Sequence, residues 1–173
     1  MAKPKMMEGK NKILLFRLHS EQGTAAAKLV FQREHTFSYS RELDAIVTKD
    51  GRIIKVGDLE SEVDIDAIQA KKDPVSTLLK NAVKKGEKLE LWEVAVDEEL
   101  KEGDKFPAVY AQGYLDSWEE GAGAEDEATI SSKFIVELEP QDGMATLTEE
   151  QQQAVQYAFQ DTVANGGGGG VEG

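Results

Sequence analysis

The sequence predicts a mainly β protein with some α structure (α+β): a β-sandwich or rolled sheet of about seven or eight strands flanked by two helices. Three observations predict it. Long stretches alternate apolar and polar residues with a period of two, as half-buried strands do. Only two segments carry a helical stripe, one after Asp73 and one after Thr148. The 173 residues are 40% hydrophobic and contain no cysteine, which fits one packed domain held without disulfides.

Residues 1–11 read as a flexible arm, and residues 12–164 as the single domain. Lys12–Leu18 is the first strand, and residues 21–24 form a turn. Residues 26–40 alternate, with Leu29, Phe31, Phe37 and Tyr39 on one face and Gln32, Glu34, Thr36 and Ser38 on the other. Arg33 and His35 interrupt the apolar face, so it is only partly core.

Residues 42–56 read as a hairpin turning at Asp50-Gly51, a pair suited to the positive φ values of a type I′ turn. Leu43, Ile46 and Val47 precede the turn; Ile53, Ile54 and Val56 follow it. Adjacent apolar residues on both arms put bulk on both faces. The pattern fits a tip packed on another subunit, and equally a hairpin folded over its own core. Residues 59–67 alternate cleanly: Val63, Ile65 and Ala67 oppose Glu60, Glu62, Asp64 and Asp66.

The clearest helix spans residues 74–85. Asp73 is a good N-cap, Pro74 fits the first helical position, and Val75, Leu78, Leu79, Ala82 and Val83 form one stripe. Lys84 and Lys85 suit the negative end of the dipole, and Gly86 supplies the stop. Strands follow at 88–96, 106–118 and 128–138. Phe106, Tyr110, Tyr114 and Trp118 share a register on one, and Ile130, Phe134, Val136 and Leu138 on the other; a connection over 119–127 joins them. Thr148 and Gln151 form a capping box for a last helix, 149–163, with Val155, Ala158, Phe159 and Val163 on its buried face. Residues 165–173 are a glycine-rich tail with no surface to pack.

The formal net charge of −13, from 33 acidic and 20 basic residues, argues against a protein that grips nucleic acid by its phosphates. It fits a surface past which nucleic acid slides. No apolar stretch is long enough for a membrane span, and Ile13–Phe16 is too short for a signal peptide, so synthesis and assembly in a cytoplasm are expected. Nucleophile-elbow, Walker, zincin and dinucleotide motifs are absent, His19 and His35 are far apart, and no cofactor is implied.

The row Glu60, Glu62, Asp64, Asp66 is the sharpest chemical feature. Alternate strand residues share a face about 7 Å apart, and no lysine is expected to intervene on that face. A cation site needs ligands that converge, which a straight row does not provide. A glycosidase pair needs one acid in an apolar pocket. A solvated strand face is the reading that remains from the residues alone. Tyr110, Tyr114 and Trp118 are interleaved with Gln112 and Asp116 rather than with cations, which points to core packing and not base stacking.

An ordered set of segments carries a resemblance. KILLFRL at Lys12–Leu18, AAKLVFQREHTFSYSRELDAIVTKDG at 26–51, LELWEV at 89–94, YAQGYLDSW from Tyr110, EDEATISSKFIVELEP and GMATLTEEQQQAVQYAFQDT resemble the major tail (tail tube) proteins of long-tailed, non-contractile phages. The resemblance implies a tail-tube-like fold and a structural virion protein, not an enzyme. Subunits would form hexameric rings stacked into a hollow tube for DNA passage during ejection. The hairpin residues Leu43, Ile46, Val47, Asp50, Gly51, Ile53, Ile54 and Val56 would reach between subunits and rings. The strands carrying Gln32, Glu34, Thr36 and Ser38, and Glu60, Glu62, Asp64 and Asp66, would line the lumen. Implied partners are the chain itself, a tape-measure protein in the lumen, tail terminator and distal tail proteins, and DNA in transient, non-sticky contact, with no membrane. The rival reading is a stand-alone acidic β-sandwich binding module, a capsid decoration or carbohydrate-binding protein, which would need an exposed aromatic platform. An acid–base enzyme is a third class.

Overall fold

The computed structural model describes residues 3–148. Eight strands form one antiparallel sheet: β1 (Lys12–Leu18), β2 (Ala27–Lys28), β3 (Gln32–Thr48), β4 (Gly51–Ile68), β5 (Leu89–Ala95), β6 (Lys105–Gly121), β7 (Thr129–Val136) and β8 (Gln141–Thr146). The spatial order is β2-β1-β5-β6-β7-β4-β3, with β8 beside the first half of β6. One α-helix, α1 (Pro74–Lys85), is present among the described residues. The second helix expected at 149–163, and the tail at 165–173, lie outside them.

The sheet is rolled rather than flat. Gln32, on edge strand β3, accepts from the Leu14 amide (2.9 Å) and donates to the Leu14 carbonyl (2.8 Å) on β1. His35 of β3 meets Glu93 of β5 at 2.6 Å. Strands far apart in the order touch because the sheet curls upon itself.

Apolar side chains fall into two layers. Leu14, Phe16, Val63, Ile65, Leu91, Ile130 and Phe134 gather beneath Val75, Leu79 and Ala82 of α1. Ile13, Leu15, Val94, Phe106, Ala108 and Leu147 form a second cluster. The run Ile13–Phe16 is buried at all four positions because β1 has a layer on each face. Each large side chain buried this way contributes about 1.5–3 kcal/mol. The helix forms as its residues dictate. The Asp73 carboxylate accepts from the Val75 amide at 3.0 Å, Pro74 opens the first turn, and Gly86 (φ 67°) ends it.

The structure departs from the sequence expectations at identifiable places. The strand expected at 26–40 is split: Ala27–Lys28 is β2, paired with β1, and Phe31 (φ 55°) turns the chain. Residues 32–40, the hairpin and the strand at 59–67 are one continuous ribbon, β3–β4, of 17- and 18-residue strands. Its turn is Lys49-Asp50 rather than Asp50-Gly51, because Thr48 pairs with Gly51. The Thr48 hydroxyl accepts from the Asp50 amide (3.3 Å) and donates to the Gly51 carbonyl (2.7 Å), and Gly51 alone takes a positive φ, 126°. A bulge at Arg33 turns Gln32 to the face of Ala67, while Glu34 pairs with Asp66. Gln32 therefore does not share a face with Glu34, Thr36 and Ser38. A second bulge between Leu115 and Ser117 turns Trp118 into the core, away from the face of Tyr110 and Tyr114. Strand β8 was not expected.

Candidate assembly and channel-lining surfaces

The outer part of the β3–β4 ribbon leaves the body of the domain. Leu43 pairs with Val56, Ala45 with Ile54 and Val47 with Arg52, so Leu43, Ala45, Val47, Ile54 and Val56 make one apolar face. Ile46 pairs with Ile53 on the other face, beside the Asp44–Lys55 pair. The ribbon is apolar on both faces, as the sequence indicates, and all of residues 42–56 are exposed. Val47 is 83% exposed, Leu43 61% and Val56 60%. β3 keeps its alternation into this region, so the apolar face continues from Phe37 and Tyr39, which stack at 5.0 Å. At its base, Arg41 donates to the Gly57 carbonyl at 2.9 Å, fixing the irregularity where Glu42 has no partner.

The carboxylate row lies on the opposite side of the sheet from α1. Val63, Ile65 and Ala67 are buried under the helix, so Glu60, Glu62, Asp64 and Asp66 point the other way. Glu34 pairs with Asp66, Thr36 with Asp64 and Ser38 with Glu62, so these six share that face, and Glu60, across from Ser40, continues it. Glu34, Thr36, Glu60 and Asp64 are exposed; Ser38, Glu62 and Asp66 are half-buried. The row is not free of cations. Lys133, across from Asp64 on β7, lies 3.7 Å from both Glu62 and Asp64, and Arg33 lies 3.9 Å from Asp66.

Two ionic contacts were missed from the sequence: one at Glu90 ties the neighbouring strands β1, β5 and β6, and one at Glu93 reaches across the roll to β3. Glu90 is only 2% exposed; Arg17 donates to it at 2.9 Å and the Tyr110 hydroxyl also donates to it. Burial alone would raise its carboxyl, but the hydrogen bonds from Arg17 and Tyr110 outweigh burial and hold it below the usual range. Arg17 also stacks over Trp92, 4.9 Å from the ring centre, and holds the 22–24 loop by its carbonyls. Burial likewise would raise Glu93, and the His35 hydrogen bond, with Lys12 nearby, brings it below the usual range. The signal existed: Arg17 and Glu90 sit in the apolar runs KILLFRL and LELWEV. His35 and Glu93 line a cleft of about 1000 Å³ between β3 and the β1–β5 edge.

Among the described residues no three His, Asp or Glu are grouped to hold a metal, and no helix is long and apolar enough to cross a membrane. Trp92 and Trp118 are part-buried against the body, so neither forms an exposed platform.

Residues 6–142 match the profile of the phage tail tube proteins. The chain belongs to the phage tail tube protein family. It is 31% identical, over 162 residues, to a protein of Staphylococcus phage phiMR25 that carries a tail protein's name; the match covers 91% of this chain and 83% of that one. It is 28% identical over 140 residues to the tail tube protein of Bacillus phage SPP1, covering 80% of this chain and 52% of the relative, so it spans about half that relative's length. The SPP1 tail tube, solved by solid-state NMR and cryo-EM, superposes with a TM-score of 0.75 at 20% identity, over 94% of this chain and 96% of that one. The virion of a gene transfer agent particle contains a chain of similar fold (TM-score 0.59, 13% identity, 80% and 99% covered), as does the anti-feeding prophage baseplate (0.60, 10%, 84% and 98%). This tail tube protein is thus a structural component of the virion tail.

Proposed function

We propose that this tail tube protein polymerises as hexameric rings stacked into a hollow tube through which phage DNA passes during ejection. The observation that carries the reading is the exposed ribbon of residues 42–56. A strand pair apolar on both faces needs cover on both, and this chain supplies none among its described residues. Other copies supply it. Within the described residues, the outer edge of β3 and the edge of β4 over residues 51–61 are also unpaired. Closure around a ring removes such edges. The lateral contact closes, whereas the axial one repeats without closing. Sixfold order is supported by a gene transfer agent tail of similar fold, refined with C6 symmetry.

In the tube, the face of β3, β4 and β7 that carries Glu34, Thr36, Ser38 and the row Glu60–Asp66 lines the channel. A negative wall denies DNA phosphates a binding minimum. The role is structural rather than catalytic. The partners are further copies, a tape-measure protein in the lumen and tail terminator and distal proteins at the ends. A cap that terminates a tube, in the anti-feeding prophage, contains a chain of this fold, which supports the terminal contacts.

Negative-stain microscopy of the concentrated protein tests the proposal. Rings or tubes are expected; uniform monomers at every concentration, with the ribbon intact, would contradict it.

A further inference from the structure

The channel wall contains cations that the carboxylate row was expected to lack. Ser131, Lys133 and Ile135 of β7 lie across from Asp66, Asp64 and Glu62, so all six side chains share one face. Lys133 Nζ sits 3.7 Å from Glu62 Oε1 and 3.7 Å from Asp64 Oδ1. The register explains the geometry: Lys133 is directly opposite Asp64 and diagonal to Glu62, the two positions a long side chain reaches across a ladder. Arg33, the bulged residue on β3, reaches Asp66.

A lysine on a wall facing DNA is ordinarily a phosphate contact. Each phosphate neutralised adds about 0.9 to the slope of log affinity against log salt. Sixfold repetition would set six such lysines in a circle at every ring. One carboxylate would only cancel Lys133, and a phosphate could take that carboxylate's place at no change in net charge. Two carboxylates keep the local sum negative in every rotamer of the lysine, so an arriving phosphate meets net repulsion. The benefit is reciprocal. Glu62 and Asp64 are alternate residues of one strand, about 7 Å apart, and the lysine between them relieves their mutual repulsion. These pairs are part-exposed and contribute little to folding stability. Their effect lies in what they withhold.

We propose that Lys133 is a latent phosphate-binding site on this wall, and that Glu62 and Asp64 serve to keep it from phosphate. The inference rests on the reading that this face lines the channel, and the test separates the two.

Virions are prepared with tails carrying Glu62→Gln/Asp64→Asn, the same pair with Lys133→Gln, and Glu60→Lys, and DNA ejection is timed across a salt series. Glu60 makes no ion pair among the described residues, so its reversal leaves the Lys133 pairs with Glu62 and Asp64 in place. The double variant should eject several-fold more slowly at low salt. The delay should fall roughly tenfold per decade of salt for each phosphate held, since a contact loses about 0.9 log units per decade. Adding Lys133→Gln should restore the wild-type rate, and Glu60→Lys should slow ejection on its own. A delay that survives Lys133→Gln, or no delay in the double variant while Glu60→Lys still slows ejection, overturns the role of Lys133. No delay in any variant overturns the channel reading itself. If the double variant does not build tails, Glu62→Gln and Asp64→Asn are tested singly, each expected to give a smaller delay that Lys133→Gln removes.

Discussion

The body of the domain and the outer ribbon obey the same strand alternation and have opposite fates. In the body, Val63, Ile65 and Ala67 alternate with carboxylates, and the apolar set disappears beneath α1. In the ribbon, Leu43, Val47, Ile54 and Val56 are as apolar as any core residue, and each is at least half exposed. Period and composition are alike; the missing element is a layer. A segment that reads as core and finds no cover among the described residues is what an interface with another copy requires. On the proposed function, the body folds the monomer and the ribbon joins monomers.

This contrast can be broken from either side. The largest effect is expected from the ribbon. Val47→Asp/Ile54→Asp should abolish tubes, read by microscopy and sedimentation. The free monomer should change by no more than about 0.5 kcal/mol, as exposed substitutions do. A large loss of monomer stability would mean the ribbon packs on its own domain. The body gives the converse. Phe134, fully buried against the α1 layer, should cost about 3–5 kcal/mol as Phe134→Ala in denaturant unfolding of the monomer. A loss below 1 kcal/mol would show the main cluster to be poorly formed.

Smaller effects sharpen the picture. Gly51→Ala should cost the ribbon tip about 1–3 kcal/mol, because φ at 126° is hostile to a side chain. Faster amide exchange around the turn, with the body unchanged, is the readout; unchanged exchange would place the strain elsewhere. Acid should loosen the fold at two points, the β1–β5–β6 contact at Glu90 and the contact across the roll at Glu93. Both carboxyls are held below their ordinary range, so their stabilisation is complete above the unfolded value of about 4.3 and is lost as pH falls through their folded values. The melting temperature should drop with acid over that window. Glu90→Gln should flatten the drop; an equally steep drop in the variant would remove Glu90 from the account.

Much of this was legible in the residues. Helix α1 follows from Asp73, Pro74, the Val75–Leu79–Ala82 stripe and Gly86 with no tertiary help. The face of β4 follows from one-sided burial, because a single slip would bury four carboxylates. The two-sided ribbon was visible in the adjacent pairs Ile46-Val47 and Ile53-Ile54. What failed were features that depend on a partner strand. Bulges at Arg33 and near Asp116 reverse the alternation, and a one-chain pattern has no mark for the extra residue, so strict alternation places Gln32 and Trp118 on the wrong faces. The turn shifted by one residue because the Thr48 hydroxyl caps it. The segment of β8 follows Pro140 and contains Gly143, so it carries no clear strand pattern of its own, and pairing with β6 gives it a ladder. Lys133 lies 69 and 71 residues from its carboxylate partners Asp64 and Glu62 in the sequence, and only the β4–β7 register brings it across from Asp64.

The central claim, that the ribbon is uncovered in the monomer and covered in the assembly, is met most directly by hydrogen exchange on residues 42–56 in the two states. The account predicts fast exchange in the free protein and strong protection in assembled tubes, with the body amides of β4 and β7 equally protected in both. Equal protection of residues 42–56 before and after assembly would contradict it.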